Sequence, residues 1–216
     1  SALDIQVNGV AALKVSNTLY KVPAVKVEQN GIITFSGIEN PLEWYVDPDH
    51  MAITAEGLKF LAISGYYSFE LNLEEKFVTV RRAKENGKPA TYVEDGAITF
   101  MGWGVGYPSI ATPLAWEGGQ YLTLAEIEKG VYQFTGIAGE KDDKTRGVRW
   151  QYDNEISFKF FGQAGWGVEW GKVTLTDEAK KWLSVEGNVE LIIKEVKDDG
   201  TKVRQPLELG ATYVMT

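Results

Sequence analysis

The chain has 216 residues, of which 44% are hydrophobic, so it can bury a sizeable core without covalent cross-links. It contains no cysteine, which excludes disulfides, a thiolate zinc site and a thiol nucleophile. The net charge of −8 is evenly spread, because residues 1–95 carry −4 (9 minus 13) and residues 96–216 carry −4 (13 minus 17), and this argues against a nucleic-acid partner.

The first half of the chain consists of short runs rich in β-branched and aromatic residues, separated by Gly, Asn or Pro. This spacing predicts the strands of a β-sandwich. The dipeptide Asn86-Gly87 lies between two such runs, residues 77–81 and 90–93, and predicts a tight hairpin. The strands predicted in this half are residues 10–15, 25–27, 32–35, 58–63, 66–73 and 77–82.

Segments of the second half resemble segments of the first half, in the same order. Chance similarity between β-rich segments is one explanation. Two tandem copies of one β-sandwich, residues 1–94 and 95–216, are the other, and we adopt this interpretation. The matches join residues 31–38 to 130–137, 59–66 to 159–166, and 84–87 to 197–200.

The second copy is expected to carry insertions that the first copy lacks. A loop rich in glycine and proline spans residues 102–120. Thr123 can cap a short helix over residues 123–128, and a second capped helix is predicted over residues 176–183. The predicted fold class is therefore all-β, with two tandem β-sandwich domains, the second bearing short helical insertions.

Six of the seven tryptophans lie after residue 95, which makes the second copy the candidate for ligand binding. A sugar ring is recognised by flat apolar rings that stack on its C–H face and by polar groups that bond its hydroxyls. Glycine neighbours indicate exposed rings at Trp103, Tyr107, Trp166 and Trp170, and we expect the loops that carry them to face each other. The candidate hydroxyl partners are Arg149, Lys159, Gln163 and Glu169.

Each of these aromatic residues has an alternative place in the core, because tryptophan is highly buried on average. Trp150 and Trp182 lie in regular strand and helix patterns, so we expect them in the core. The pattern around Trp116 is compatible with either location.

Four motifs of the second copy form a recognisable set. They are Phe100-Met101-Gly102-Trp103, Gly130-Val131-Tyr132-Gln133-Phe134-Thr135-Gly136, Ile156-Ser157-Phe158-Lys159-Phe160, and the ending Gln163, Gly165-Trp166 and Trp170-Gly171. Through these motifs residues 97–175 resemble the carbohydrate-binding domains of the SusE/SusF family, outer-membrane lipoproteins of gut Bacteroidetes that hold starch at the cell surface. Family members usually have Gly-Asp where this chain has Gly102-Trp103, so the glycan can differ from starch.

The resemblance implies tandem Ig-like sandwiches that bind a neutral oligosaccharide or polysaccharide without catalysis, cofactor or metal. It also implies a cell-surface lipoprotein of the outer membrane, serving a polysaccharide-utilisation system, with a SusC/SusD-like complex as a candidate partner. Attachment to the membrane is expected only through a lipid anchor. The anchor cysteine and the leader peptide are both expected to lie outside this sequence. The ligand-binding residues it implies are Trp103, Tyr107, Arg149, Gln163, Trp166 and Trp170.

The first copy has Tyr66-Tyr67 where the second has Trp166-Gly167, so we expect a spacer or a weak site there. Residues 44–50, which include Trp44 and His50, suggest either an aromatic surface patch or a metal site formed with Asp47 and Asp49. A proline-containing turn of this composition is more typical of a solvated loop, which we expect.

We expect no enzymatic activity. His50 is the only histidine, and the sequence lacks a nucleophile elbow and a phosphate-binding glycine loop. A glycosidase would need two carboxylates flanking one glycosidic bond. The candidates are Asp153, Glu155 and Glu169, which lie near the aromatic residues in the sequence. The alternative to glycan binding is a structural or protein-interaction module of an outer-membrane transporter complex, with no glycan site.

Overall fold

The computed structural model describes residues 2–114, 116, 121–170 and 172–216. It contains 45% strand and 5% helix, which confirms an all-β fold with two tandem sandwich domains. In the part of the chain described, no helix is long and apolar enough to cross a membrane.

Most strands are short, and the two longest, β4 and β15, have nine residues each. The first eleven strands are β1 (Gln6–Val7), β2 (Val10–Ala11), β3 (Leu13–Lys14), β4 (Leu19–Val27), β5 (Ile32–Ile33), β6 (Phe35–Ser36), β7 (Tyr45–Val46), β8 (Met51–Thr54), β9 (Gly57–Phe60), β10 (Gly65–Asn72) and β11 (Phe77–Arg82). A 3-10 turn spans Pro41–Glu43, and helix α1 spans Tyr92–Asp95.

The remaining strands follow α1, and a second 3-10 turn at Ala179–Lys181 precedes β18. They are β12 (Thr99–Trp103), β13 (Leu122–Thr123), β14 (Ala125–Glu128), β15 (Val131–Gly139), β16 (Val148–Gln151), β17 (Ser157–Phe161), β18 (Leu183–Glu186), β19 (Asn188–Leu191), β20 (Ile193–Val196), β21 (Lys202–Arg204) and β22 (Thr212–Met215).

The chain folds into two compact units. The first unit contains the chain up to Ala97 together with Thr123–Phe134 and Thr216, and the second contains Ile98–Leu122 and Thr135–Met215. Each unit is therefore formed by segments that are separated in the sequence.

The first unit is organised around a five-stranded sheet in the order β3-β4-β10-β11-β7. Alternate residues of β4 and β10 point into the core, and the register pairs buried residues with each other, such as Phe69 with Val22 and Leu71 with Tyr20. Phe60, from a second sheet of order β5-β9-β8, packs edge-on against Tyr67 with ring centroids 4.6 Å apart. Two sheets thus share one apolar core.

The second unit has a sheet in which β12, β17, β19 and β18 lie side by side. Phe158, on β17, is fully buried between Phe100 and Trp150, with ring centroids 4.8 and 6.0 Å away. Opposite Phe158 lies Gly102, where a Cβ would stand 2.3 Å from the carbonyl oxygen of Ser157. Only glycine therefore permits this close approach of the two strands.

The helix predicted over residues 123–128 is wrong. This segment forms the end of β13 and all of β14, and Ala125 and Glu126 of β14 pair with Gln133 and Tyr132 of β15. A helix of six residues is marginal on its own, because nucleation is costly, whereas the strand gains a hydrogen-bonded partner and buries Ala125.

The helix predicted over residues 176–183 is only a single 3-10 turn. Thr176 does act as a cap, since its hydroxyl accepts a hydrogen bond from the Ala179 N–H at 3.2 Å. The chain then becomes extended, because Leu183 starts β18 and pairs with Leu191 of β19. Strand pairing again outweighs local helix propensity.

The turn predicted at Asn86-Gly87 is confirmed, since Gly87 has a φ of 86° and its N–H donates to the Lys84 carbonyl at 2.9 Å. The second arm of the predicted hairpin, residues 90–93, is wrong beyond a single bridge from Ala83 to Pro89. The chain enters α1 instead, because the Thr91 hydroxyl caps the Glu94 N–H.

Two of the three matching segments do not form equivalent strands in the two halves. Residues 31–38 contain the two short strands β5 and β6, whereas residues 130–137 lie mostly in the single strand β15. Lys59 pairs with β5 and β8, but Lys159 pairs with β12. The third match is structural, since the Gly87 and Gly200 N–H groups donate to the Lys84 and Lys197 carbonyls at 2.9 Å and both glycines have a φ of 86°. The chain has two tandem all-β domains in which the third match forms equivalent turns and the first two matches lie on differently paired strands.

Phe158→Ala should destabilise the second unit by about 3–5 kcal/mol, because it leaves a cavity between Phe100 and Trp150. Urea denaturation followed through NMR signals of each unit would measure this, since a two-domain chain need not unfold in one step. Val214→Ala is the control, because Val214 is 54% exposed and its truncation should cost less than about 0.5 kcal/mol. Equal effects of the two variants would contradict this packing.

Candidate ligand-binding site

A tight loop follows β17 and carries Trp166. The chain reverses after Phe161, which forms a bridge with Glu169. The Gly162 N–H donates to the Val168 carbonyl at 2.8 Å, and the Trp170 N–H donates to the Phe160 carbonyl at 3.0 Å. The aromatic loop, residues 162–170, is therefore closed by backbone hydrogen bonds at its base.

Trp166 is 52% exposed, yet its ring is held by neighbours. Its edge-to-face partner is the buried Phe161, with ring centroids 5.3 Å apart and planes at 88°. Its indole N–H donates to the Trp116 carbonyl at 3.2 Å, and the Trp116 ring lies 5.7 Å away at a tilt of 32°. These contacts fix the orientation of a large, partly exposed apolar ring.

The polar side chains of the aromatic loop bond within the loop itself. The side-chain amide of Gln163 donates to the Trp166 carbonyl. The Glu169 carboxylate accepts the Gly167 N–H at 2.8 Å, and this bond, assisted by the nearby Lys159 ammonium, holds the pKa of Glu169 below its ordinary value. Gly167 has a φ of 110°, a conformation that favours glycine. Gln163 and Glu169 thus shape the loop that presents Trp166.

Trp103 is a second exposed ring, with 48% of its surface accessible, but it does not face Trp166. In the antiparallel register Trp103 lies opposite Ser157, whereas Phe161, which contacts Trp166, lies opposite Thr99. Four residues of strand separate the two levels by roughly 13 Å. The expectation that Trp103 faces Trp166 is therefore wrong, because antiparallel pairing puts the end of β12 and the end of β17 at opposite ends of the sheet. The loop of residues 102–120 contacts the aromatic loop through Trp116 instead.

Tyr107 and Arg149 lie inside the second unit, with exposures of 4% and 0%. The guanidinium carbon of Arg149 is 4.9 Å from the Tyr107 ring centroid. Its Nε donates to the Gly106 carbonyl at 3.2 Å and its Nη1 to the Thr135 carbonyl at 3.0 Å. The predicted bare ring of Tyr107 and the predicted hydroxyl contact of Arg149 are wrong for this conformation, in which both residues hold the base of the loop after β12.

The remaining tryptophans of the second unit differ in burial. Trp150 is buried, as predicted. Trp182 is half-buried against Tyr213, with ring centroids 5.5 Å apart. Trp170 is also half-buried, with its ring centroid 6.4 Å from that of Phe160, so it is the last residue of the aromatic loop but less exposed than Trp166. Gly171, which belonged to the motif of the resemblance, lies outside the described residues.

The predicted surface loop of the first unit is wrong, because Trp44, Asp47 and His50 are all buried. His50 Nδ1 lies 2.9 Å from Asp47 Oδ2, and the Asp49 carboxylate accepts the side-chain N–H of Gln133 at 2.8 Å. Across residues 2–114, 116, 121–170 and 172–216, no group of three or more His, Cys, Asp or Glu side chains is arranged to hold a metal ion.

The sequence did not assign Trp116 to the site, although it is the residue that holds the Trp166 ring. Proline and glycine around Trp116 indicated only a loop. The contact joins residues 50 positions apart, and neither hydrophobic periodicity nor motif spacing reports such a pairing.

The lowered pKa of Glu169 predicts an acid-dependent change in the aromatic loop. A carboxylate whose pKa is lowered by folding stabilises the folded loop above its unfolded pKa of about 4.3, and this contribution is lost as the pH falls through the lower folded value. We expect the indole N–H resonance of Trp166 to shift on acidification below about pH 4. Glu169→Gln should remove this step and Glu155→Gln should retain it; persistence of the step in Glu169→Gln would refute the assignment.

Comparison with known families assigns both parts of the chain. A model described as Domain of unknown function (DUF5125) matches residues 2–91, and one described as Domain of unknown function (DUF5121) matches residues 94–216. Searches of curated proteins and of solved structures found no match. The second model covers more than half of the chain, and the chain therefore belongs to the DUF5121 family, with a DUF5125 domain in front.

Proposed function

We propose that this protein binds a neutral glycan without chemical change, and that the aromatic loop with Trp116 is the contact surface. The observation that carries the proposal is the state of Trp166, which is 52% exposed but is fixed by the Phe161 ring and the Trp116 carbonyl. An exposed tryptophan face suits the C–H face of a sugar ring.

The fixed orientation of Trp166 favours binding because little side-chain freedom remains to be lost when a ligand stacks on it. A flexible surface tryptophan would have to be ordered by the ligand, at a cost in affinity. The hydrogen bonds of Gln163 and Glu169 within the loop serve the same end. Gln163 therefore supports sugar binding by holding the loop that presents Trp166, and not by contacting the sugar itself.

The charges beside the ring favour a neutral ligand. Glu169 and Lys159 carry opposite charges, and the lysine adds a smaller contribution to the lowered carboxylate pKa, which the Gly167 N–H bond mainly causes. Such a pair offers acceptors and donors to hydroxyl groups without selecting an anion or a cation. This supports a neutral oligosaccharide as the ligand.

The location and partners form part of the same proposal. The resemblance of residues 97–175 to SusE/SusF domains supports a lipoprotein at the bacterial outer surface, acting with a SusC/SusD-like complex in polysaccharide utilisation. Trp103, the second exposed ring, is a candidate contact for a more distant part of a long glycan.

A protein partner is the second candidate, favoured by Val168. This residue is 40% exposed and lies two positions from Trp166 in the same loop, so the loop presents an aliphatic side chain beside the aromatic ring. Sugars make little use of isolated aliphatic side chains, whereas protein interfaces bury them together with aromatic anchors.

Trp166→Ala should weaken binding of a neutral oligosaccharide by about tenfold or more, because the stacking surface is lost. The ligand would be chosen from a glycan array and its affinity measured by calorimetry. Val168→Ala, in the same loop, is the matched control and should leave the affinity within about twofold.

Absence of binding to every neutral glycan on the array would overturn the proposal. Equal losses of glycan affinity in the two variants would contradict stacking on the Trp166 ring as the source of binding. The NMR spectrum of Trp166→Ala must keep the dispersion of a folded protein, and we expect this because Trp166 is 52% exposed and lies outside the buried core.

A further inference from the structure

Residues 123–134 belong to the first unit, although they lie within the region that matches the second family model. They form the end of β13, all of β14 and the start of β15. The first unit is thus completed by a strand pair that follows it in the sequence by about twenty-five residues, and the interactions of this pair are of three kinds.

The first kind is apolar. Ala125 is part of the buried core of the first unit, and Ile127 packs against that core. The backbone is engaged as well, because the Ile63 N–H donates to the Glu126 carbonyl at 2.8 Å and the Gln29 side chain donates to the Ile127 carbonyl at 2.8 Å. The segment therefore fills part of the core and satisfies polar groups on either side of it.

The second kind is a buried ion pair. Arg82 Nη1 lies 3.0 Å from Glu126 Oε1, and the two side chains are only 15% and 6% exposed. The other carboxylate oxygen accepts the Gly130 N–H at 2.9 Å, and the Arg82 N–H donates to the Thr123 hydroxyl at 2.8 Å. Removing Glu126 would leave the Arg82 charge in a site with little water, which is costly.

The third kind is a pair of hydrogen bonds at the far end of the segment. The Tyr132 hydroxyl donates to the Gly96 carbonyl at 2.6 Å, and Gln133 donates to the buried Asp49 carboxylate at 2.8 Å. Burial, together with the Glu126 carboxylate, raises the pKa of Tyr132 to about 12, so the hydroxyl stays a donor at any physiological pH.

We propose that the DUF5125 domain carries a built-in docking surface for residues 123–134 of the DUF5121 region and reaches its stable fold only with that segment in place. The surface consists of Gln29, Asp49, Ile63 and Arg82, and the carbonyl of Gly96, which follows this domain in the first unit, adds an acceptor for Tyr132. Its partner is a β-hairpin with a buried acid at its centre. The domain matched by residues 2–91 is therefore incomplete by itself, and this conclusion is independent of glycan binding.

The test uses the full chain and compares two substitutions on one strand. Glu126→Gln keeps the shape but removes the charge that faces Arg82, whereas Glu128→Gln makes the same change at an exposed position of β14. Hydrogen exchange of the β10 and β11 amides should accelerate about tenfold or more in Glu126→Gln and stay within about twofold in Glu128→Gln. Equal exchange in both variants would overturn the proposal.

A second pair of variants guards against general loss of fold. Tyr132→Phe removes only the hydroxyl that donates to Gly96, and Tyr213→Phe removes only the hydroxyl that accepts the Glu208 N–H in the second unit. Tyr132→Phe should accelerate exchange in β10 and β11, and Tyr213→Phe should leave those amides unchanged. If Tyr132→Phe instead affected only β12 and β17, residues 123–134 would not belong to the first domain.

Discussion

The antiparallel register between β12 and β17 is the constraint on which the second unit depends. It places Gly102 against Phe158, where a side chain would collide with the Ser157 backbone, and so lets the two strands come together over the Phe100–Phe158 contact. The same register decides where each strand ends. Trp103 lies where β12 ends, and the aromatic loop begins where β17 ends, at the opposite end of the same sheet. The two exposed tryptophans are therefore held by neighbouring strands but lie at opposite ends of them.

The sequence was sufficient for the all-β class and for the exposure of Trp103 and Trp166, because strand alternation and glycine-flanked loops are local signals. It failed where tertiary pairing overrides local preference. Residues 123–128 have a capping residue and a helical spacing of apolar residues. They nevertheless form strand, because β14 pairs with β15 and this pairing outweighs the local helical preference. The burial of Arg149 could not be predicted either, because a charged side chain in a strand is expected at the surface. Its contacts with the Tyr107 ring and with two backbone carbonyls, which allow it to be buried, are tertiary.

The aromatic loop and the segment of residues 123–134 use a common principle, which is that polar groups are satisfied locally so that another group can be presented. In the aromatic loop, Gln163 and Glu169 bond within the loop and Trp166 is left partly exposed. In the segment, Thr123, Glu126 and Tyr132 bond to the first unit and Ala125 enters the core. Binding is proposed for the first arrangement and structural completion for the second.

The presence of Ala125 in the core of the first unit also bears on how such proteins arise. A recombination event that copied residues 2–91 into another gene would transfer a domain without part of its interior. Transfer of residues 94–216 alone would carry a strand pair without the core that covers its apolar side chains and without the Arg82 that pairs with Glu126. The two regions are thus expected to be inherited together, in this order, and substitutions at Arg82 and Glu126 are expected to occur as a pair.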